Sequence, residues 1–270
     1  MFFPPERMAT AYDRSATLFD PRGRILQVLY ARKAAEAGTP SCGLLFNDGV
    51  IITGKRKMSV LLMPNRKVFQ VDDNIIATFA GYSSDGMFLV ENAREYAASL
   101  RFVYGSEKPD VYVVARYISS IMHQATLYAG LRPLGVSIIL GGVDISGPRL
   151  LFSDPGGSTV SWRAGVIGLN AKKGEKFLEE ILKMNSPEQL TFDDAVKYAI
   201  AAILIALGTA SPPIEIEVGY VKRDSPATIV TADHPSIAKL YEEAKKIFEE
   251  WKERISVSEE KEESEEEEHS

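Results

Sequence analysis

Strand-forming and helix-forming patterns come in blocks along this 270-residue chain, not in alternation. Two apolar runs flank Asn47-Asp48-Gly49, a strong hairpin signal, and strand pattern continues through KVFQVDDNIIATFAG. Two long helical stretches follow in succession. Leu89, Ala93, Tyr96, Leu100 and Val103 step by four and three residues, and Val114, Ile118, Ile121, Ala125 and Tyr128 do the same. The chain returns to strands in GVSIILGGVDISGPRLLFSDPGGSTVSWRAGVIG, read as a meander punctuated by Gly and Pro turns. A second helical pair runs over about 172–208, with Thr191 and Asp194 as a capping box on its second member. IEIEVGYV reads as one more strand. A last helix from Pro235 to about Arg254 carries Ile237, Leu240, Ala244, Phe248 and Trp251 on one face. Blocked order predicts an α+β fold of antiparallel sheets with helices on the outer faces, and argues against a doubly wound parallel sheet. Two sheets back to back, each covered by a helical pair, use every one of these apolar stripes.

No internal repeat or interdomain linker is visible, so the expectation is one domain plus a tail. Residues 258–268 carry eight Glu and one Lys, a net charge of −7; taking that from the total of −6 leaves a body near +1. Such a run repels itself and buries nothing, so it is expected to be disordered and solubilising, with docking to a basic partner as the alternative. No basic face or stacking motif supports nucleic-acid binding. No apolar run reaches the ~18 to 20 residues of a membrane span. AIAAILIAL, residues 199–207, is half that length and reads as a buried helix. The N-terminus lacks the basic start and apolar segment of a signal peptide. A single cysteine, Cys42 at the start of an apolar strand, fits a reducing cytoplasm and a buried, inert thiol.

The catalytic inventory is thin. His123, His234 and His269 have no metal-site spacing, HExxH and CxxC are absent, and no GxSxG elbow supports a serine nucleophile. The glycines of ILGGVDISG are turn chemistry, not a phosphate loop, and no cofactor is expected. EAGTPSCGLLFNDGVIITGKRK poses the sharper question. A small residue, then Gly38-Thr39, then an apolar hairpin is how a threonine-nucleophile hydrolase begins once processed, its free α-amine serving as base for the hydroxyl. Here 38 residues precede Thr39 and its amine is in a peptide bond. Those residues hold a type I turn at Asp20-Pro21-Arg22-Gly23 and a helix, ILQVLYARKAAEA, that can bury Ile25, Val28 and Leu29 and should end on Gly38 as a left-handed cap. Lys55 stands where an active enzyme of this kind carries an acid, and Pro40 is a further departure. Thr39 therefore reads as structural; the competing reading is a self-processing threonine peptidase with Thr39 as nucleophile.

YDRSATLFDPRGRILQVLYARKA resembles the N-terminal signature of proteasome α subunits, archaeal ones above all. The resemblance continues through KVFQVDDNIIATFAGYSSDG, LRPLGVSIILGGVD, GPRLLFSDPGG and WRAGVIG, and covers roughly residues 10–250. It implies a four-layer αββα sandwich of the Ntn-hydrolase type, which agrees with the block order. It divides the chain into an N-terminal gate arm and turn (1–23), the α-type domain (24–255) and the acidic tail (256–270). It also implies a non-catalytic subunit of the 20S core. Seven α subunits would form a ring on the catalytic β subunits, close the axial pore and receive an AAA-type ATP-dependent unfoldase. Tyr12, Asp13 and Arg14 would be gate residues, Pro21 part of the turn that moves on opening, and Tyr30 its support. Lys67 would receive the unfoldase's C-terminal carboxylate, beside backbone at Gly38 and Gly81. Two departures stand out. The usual acid of the family's Gln-Val-Glu-Tyr segment is Leu29 here, and the usual aromatic residue after Arg-Pro is Leu134. These changes weaken or alter docking, and they fit a second α subunit that mixes with a standard one in the ring.

Overall fold

The computed structural model describes residues 17–268 apart from 62, 64, 106, 107 and 129, with side chains as far as residue 255. Asn47 and Asp48 are all that separate β1 (Ser41–Phe46) from β2 (Gly49–Lys55), and the pairing closes with Phe46 opposite Gly49. Both strands are buried almost throughout, as their continuous apolar runs require in a sheet covered on two faces. Strands β3 (Val68–Asp72) and β4 (Ile75–Gly81) form a second hairpin, followed by α2 (Ser83–Tyr104) and α3 (Val111–Leu127).

Along these helices Leu89, Ala93, Val114 and Ile118 are fully buried against the sheet beneath, and Tyr96 stacks on Tyr117 at 4.0 Å between the two helices. Val103 and Tyr128, the last members of each expected stripe, are instead exposed. Val103 sits in the final turn of α2 and Tyr128 one residue beyond α3, past the edge of the layer they would have to cover.

The strands β5 (Val136–Asp144), β6 (Gly147–Ser153) and β7 (Thr159–Ser161) form the expected meander, but β8 (Ala164–Ile167) leaves it. Trp162 stacks on Phe152 at 4.3 Å and its N–H donates to Leu150 O; one residue later Arg163 O accepts from Leu45 N of the other sheet. The chain thus changes sheets between these residues, and β8 pairs with β1. Helices α4 (Ala171–Met184) and α5 (Phe192–Leu207) follow, the latter opened by the reciprocal Thr191–Asp194 capping box. Strand β9 (Ile216–Lys222) is joined by β10 (Ser225–Thr231), which the sequence reading missed. Pro226 hid it: the proline sits in the register shift between Ser225 and Thr228, on an edge strand, where a missing N–H costs no ladder bond.

The last helix, α6, spans Ala238–Glu268, three residues later in its start than expected and longer at its end. His234 O accepts from Ile237 N and Ala238 N, so Pro235 belongs to the turn before the helix. At the other end α6 takes in the Glu run expected to be disordered. Glutamate is a good helix former, and extending a helix already nucleated needs no new nucleus. All five apolar residues predicted for its inner face are buried.

The result is two antiparallel five-stranded sheets, ordered β10-β9-β2-β1-β8 and β3-β4-β5-β6-β7. Helices α2 and α3 cover the second sheet, α4 and α5 the first, and α6 lies on α5. Between the sheets, Val50, Ile52, Val68, Ile76, Ile139 and Leu150 form a dry layer of their own. This is the expected α+β sandwich in four layers. Helix α1 (Leu26–Glu36) stands outside this scheme and packs across the ends of β4 and β5.

Candidate functional site

The end of the sandwich under α1 is where the sequence placed its candidate residues, and three of them meet there. Gly38 does not adopt the left-handed conformation expected of a helix cap. Ala37 and Gly38 close α1 in ordinary geometry through N–H bonds to Lys33 O and Ala35 O. Glycine is needed for a different reason: a Cβ at Gly38 would lie 2.2 Å from Gly81 N. Gly81 has φ +125°, and a Cβ there would lie 2.1 Å from Gly135 O. Two glycines therefore let the end of α1 press against the end of β4, and Val28, Ala31 and Ala35 are buried by that contact.

Thr39 follows directly. Its own amine is the peptide nitrogen after Gly38, whose carbonyl accepts from Leu169 N at 2.8 Å. Its carbonyl accepts from Lys67 Nζ at 3.0 Å, and the same ammonium donates to Phe79 O at 2.5 Å. Burial in this setting pushes the Lys67 amine down to about 7, because the charged form loses its water. The main chain of Lys67 and Val68 is fixed by Glu217, whose Oε2 accepts from both N–H groups at 2.6 and 2.8 Å. Ser41 and Thr78 share a buried hydroxyl bond at 2.9 Å behind them. Lys55, in the place where an acid would be expected, pairs with Glu215 at 3.3 Å.

Thr39, Lys67, Phe79 and Gly81 border an open pocket of about 420 Å³ that also takes in Arg56, Lys57, Arg66, Phe69 and Met87. The sequence reading named Lys67, Gly38 and Gly81 here but missed the other cations, although the basic run Lys55-Arg56-Lys57 at the end of β2 was a signal for them. Tyr12, Asp13 and Arg14 lie outside the described residues. Pro21 is exposed in the predicted turn, where Gly23 N donates to Asp20 O at 2.8 Å. The Asp20 carboxylate accepts from the Arg24 side chain and from Arg24 N and Arg22 N, and these bonds hold it below the usual carboxylate range. Tyr30 is half-exposed on α1, Leu29 half-buried, and Leu134 packs at the margin of the layer beneath α2 and α3. Arg32 ties α1 to Asp154 in the β6–β7 turn at 2.6 Å.

The remaining candidates are a buried thiol and two surface histidines. Cys42 is fully buried, and burial with the nearby Glu175 pushes its thiol up, away from reactivity. His123 is exposed with Nδ1 3.3 Å from Gly156 O, and His234 Nδ1 lies 2.8 Å from Ser236 Oγ in the turn before α6. Among the described residues no group of three His, Cys, Asp or Glu side chains is placed to hold a metal ion. No helix among them is long and apolar enough to cross a membrane.

A family model for the proteasome subunit matches residues 35–221, and a second, for the N-terminal signature of A-type proteasome subunits, matches residues 12–34. The chain belongs to the proteasome subunit family, on its α branch. The proteasome alpha subunit of Thermococcus sibiricus is 34% identical over 252 residues, covering 92% of each chain. That of Archaeoglobus fulgidus is 36% identical over 216 residues, 79% of this chain and 85% of its own. That of Methanocaldococcus jannaschii is 34% identical over 72% of this chain and 74% of its own length. The α-type signature ends at residue 34, within α1, so the part of this proteasome subunit that the signature matches includes the helix held against β4 by Gly38 and Gly81.

Proposed function

We propose that this chain is a non-catalytic α subunit of a 20S proteasome core in the cytoplasm. Seven such subunits close into the outer ring, alone or mixed with a second α chain, and stack on β subunits that cut peptides. Tyr12, Asp13 and Arg14 order the arm that closes the axial pore, with Pro21 in its hinge turn and Tyr30 in support. Lys67, with backbone at Gly38 and Gly81, receives the C-terminal carboxylate of an ATP-driven unfoldase.

The observation that carries this reading is the packing of α1 ahead of Thr39. Removing the residues before Thr39 would expose the surface that Val28, Ala31 and Ala35 cover, and would break the Leu169 N–H bond to Gly38 O. With α1 retained, Thr39 keeps a peptide nitrogen in place of the free amine that a threonine nucleophile uses as its base. Native mass spectrometry followed by dissociation tests this. The expected result is a ring-sized assembly whose subunits keep the full 29.8 kDa. Subunits shortened by residues 1–38 would replace this reading with the self-processing peptidase. Deleting residues 1–14 is expected to raise peptide hydrolysis by the assembled core. Unchanged hydrolysis with the ring intact would remove Tyr12, Asp13 and Arg14 from the gate.

A further inference from the structure

The pocket at the Thr39 end carries more positive charge than one carboxylate needs. Arg56, Lys57, Arg66 and Lys67 all border it, and among the described residues no acidic side chain lines it. The nearest carboxylate is that of Glu217, already held by two backbone N–H groups and 4.0 Å from Arg56 Nη1. Four basic side chains against one acid leave the site net positive. Arg56 is nine-tenths buried behind the pocket, where its guanidinium donates to Ile214 O and faces Glu217, so it adds positive charge there without being a free ligand contact. Lys57 and Arg66 stand exposed at the mouth. Ser83, the first residue of the 22-residue helix α2, also lines the pocket, so the positive end of a long helix opens on the same space. Asp85 in that first turn is turned away, bound at 2.7 and 2.8 Å by Arg132 and at 2.8 Å by Gly135 N.

The lysine itself leaves room for one anionic contact. An ammonium has three N–H donors, and two are spent on Thr39 O and Phe79 O. The third can meet a single carboxylate oxygen. The exposed Lys57 and Arg66 are then left for a second negative group. Beneath them the Phe69 and Phe79 rings stack at 5.4 Å, and with Met87 they give an apolar floor for a side chain between the two charges.

We infer that this pocket is a two-anion site: it takes the end of an acidic peptide, with the terminal carboxylate on Lys67 and an acidic side chain a few residues upstream on Lys57 and Arg66. This rests on the docking reading above and adds which sequences dock. A partner ending in an acidic segment binds; one with a neutral end binds poorly.

Three N-terminally labelled peptides distinguish the two readings by fluorescence anisotropy on the assembled ring: Gly-Glu-Leu-Phe-Ala, Gly-Gln-Leu-Phe-Ala, and the latter as its C-terminal amide. The expected result is about tenfold tighter binding of the Glu peptide than the Gln peptide, from one extra charge-assisted contact, and little binding of the amide. Equal binding of the Glu and Gln peptides, with the amide still excluded, would overturn the two-anion site and leave carboxylate docking intact. Binding of none of the three would take the docking reading down as well. Because Arg56 is buried against Glu217, its replacement would test folding too, so the exposed pair Lys57→Gln with Arg66→Gln carries the mutational arm. That double variant should lose most of the preference for Glu and keep the preference for a free carboxylate over the amide. A Glu preference unchanged in the double variant would show that other groups read the acid, and would overturn the proposal.

Discussion

The two ends of the sandwich are built from the same kinds of turn and strand end, yet they handle charge in opposite ways. At the hairpin end the acids Asp72, Asp73 and Asp144 each have an arginine within ion-pair distance. Asp72 takes a bidentate contact from Arg101, which also lies 3.8 Å from Asp73. Asp144 accepts from Val111 N and Ser146 N and pairs with Arg149 at 3.1 Å. Asn74 spans Pro109 O and Val143 O at 3.0 Å each. At the Thr39 end the pocket is lined by four basic side chains and, among the described residues, by no acid. An end that balances its own charges is a structural joint. An end that leaves them unbalanced suits the docking proposed for it.

The largest effect expected from this contrast concerns the backbone. Gly81→Val forces a branched side chain onto φ +125° with its Cβ 2.1 Å from Gly135 O, both of them main-chain features that cannot step aside. Strain of that kind adds to overpacking, so the variant should lose about 4 kcal/mol or more, or fail to accumulate as folded protein. Gly105→Ala at the hairpin end has φ +61° but nothing within 4 Å, and should lose only about 1 kcal/mol. Denaturant unfolding of the two variants measures the difference. Equal losses would mean that the α1–β4 contact is not tight and that the Thr39 end is not pre-built.

Much of this contrast was legible in the sequence, and what was missed has physical causes. Hairpins, helix stripes and the capping box rest on local periodicity, which Asn47-Asp48-Gly49 and Thr191–Asp194 express without help from the rest of the chain. Strand β10 depends on its partner β9 and hides behind Pro226, and the crossing at Trp162–Arg163 depends on Phe152 and Leu45, which are distant in sequence. Gly38 was singled out for the wrong reason, because a left-handed cap and a close approach of two backbones leave the same residue in the sequence. Lys67, Gly38 and Gly81 came from family resemblance alone. That Arg56 and Arg66 share the Lys67 pocket, with the Glu217 carboxylate beside it, needed the fold to bring the ends of β2, β3 and β9 together.

A second prediction uses the amine at the centre of the open end. Burial holds Lys67 at about 7, far below the usual lysine value of 10.5. Below pH 7 the amine is charged in folded and unfolded chains alike, and the folded state bears the full burial cost. Between about 7 and the unfolded value only the unfolded chain keeps the proton, so stability from this group rises with pH in that window. Docking moves the other way. A neutral amine has two N–H donors, enough for Thr39 O and Phe79 O and none for a ligand. Arg56 and Lys57 just after β2, Arg66 from the loop before β3 and Glu217 from β9 are the charged neighbours. Peptide affinity should therefore fall about tenfold from pH 6 to pH 8 while thermal stability holds or rises, and Lys67→Met should abolish the pH dependence of both. Affinity and stability falling together would show that the pH change acts on the fold and not on the pocket.

The smallest effect should come from the balanced end. Arg101 is a third exposed, and its bidentate hold on Asp72 is screened by solvent accordingly. Arg101→Ala leaves Asp72 with Asp73 N as a hydrogen-bond donor, at 2.7 Å, so the carboxylate is not stranded without any partner. The expected loss is about 1 kcal/mol in urea unfolding, with peptide affinity at the Thr39 end unchanged. Sites that share no partners add independently, so combining Arg101→Ala with Lys57→Gln and Arg66→Gln should give the stability loss of the first and the binding loss of the others, with no interaction between them. A measurable coupling would mean that the two ends are joined through β3, whose strand carries Lys67 just before its start and Asp72 at its end. In that case charge at the hairpin end would be part of the docking site, and the division between a closed joint and an open one would fail.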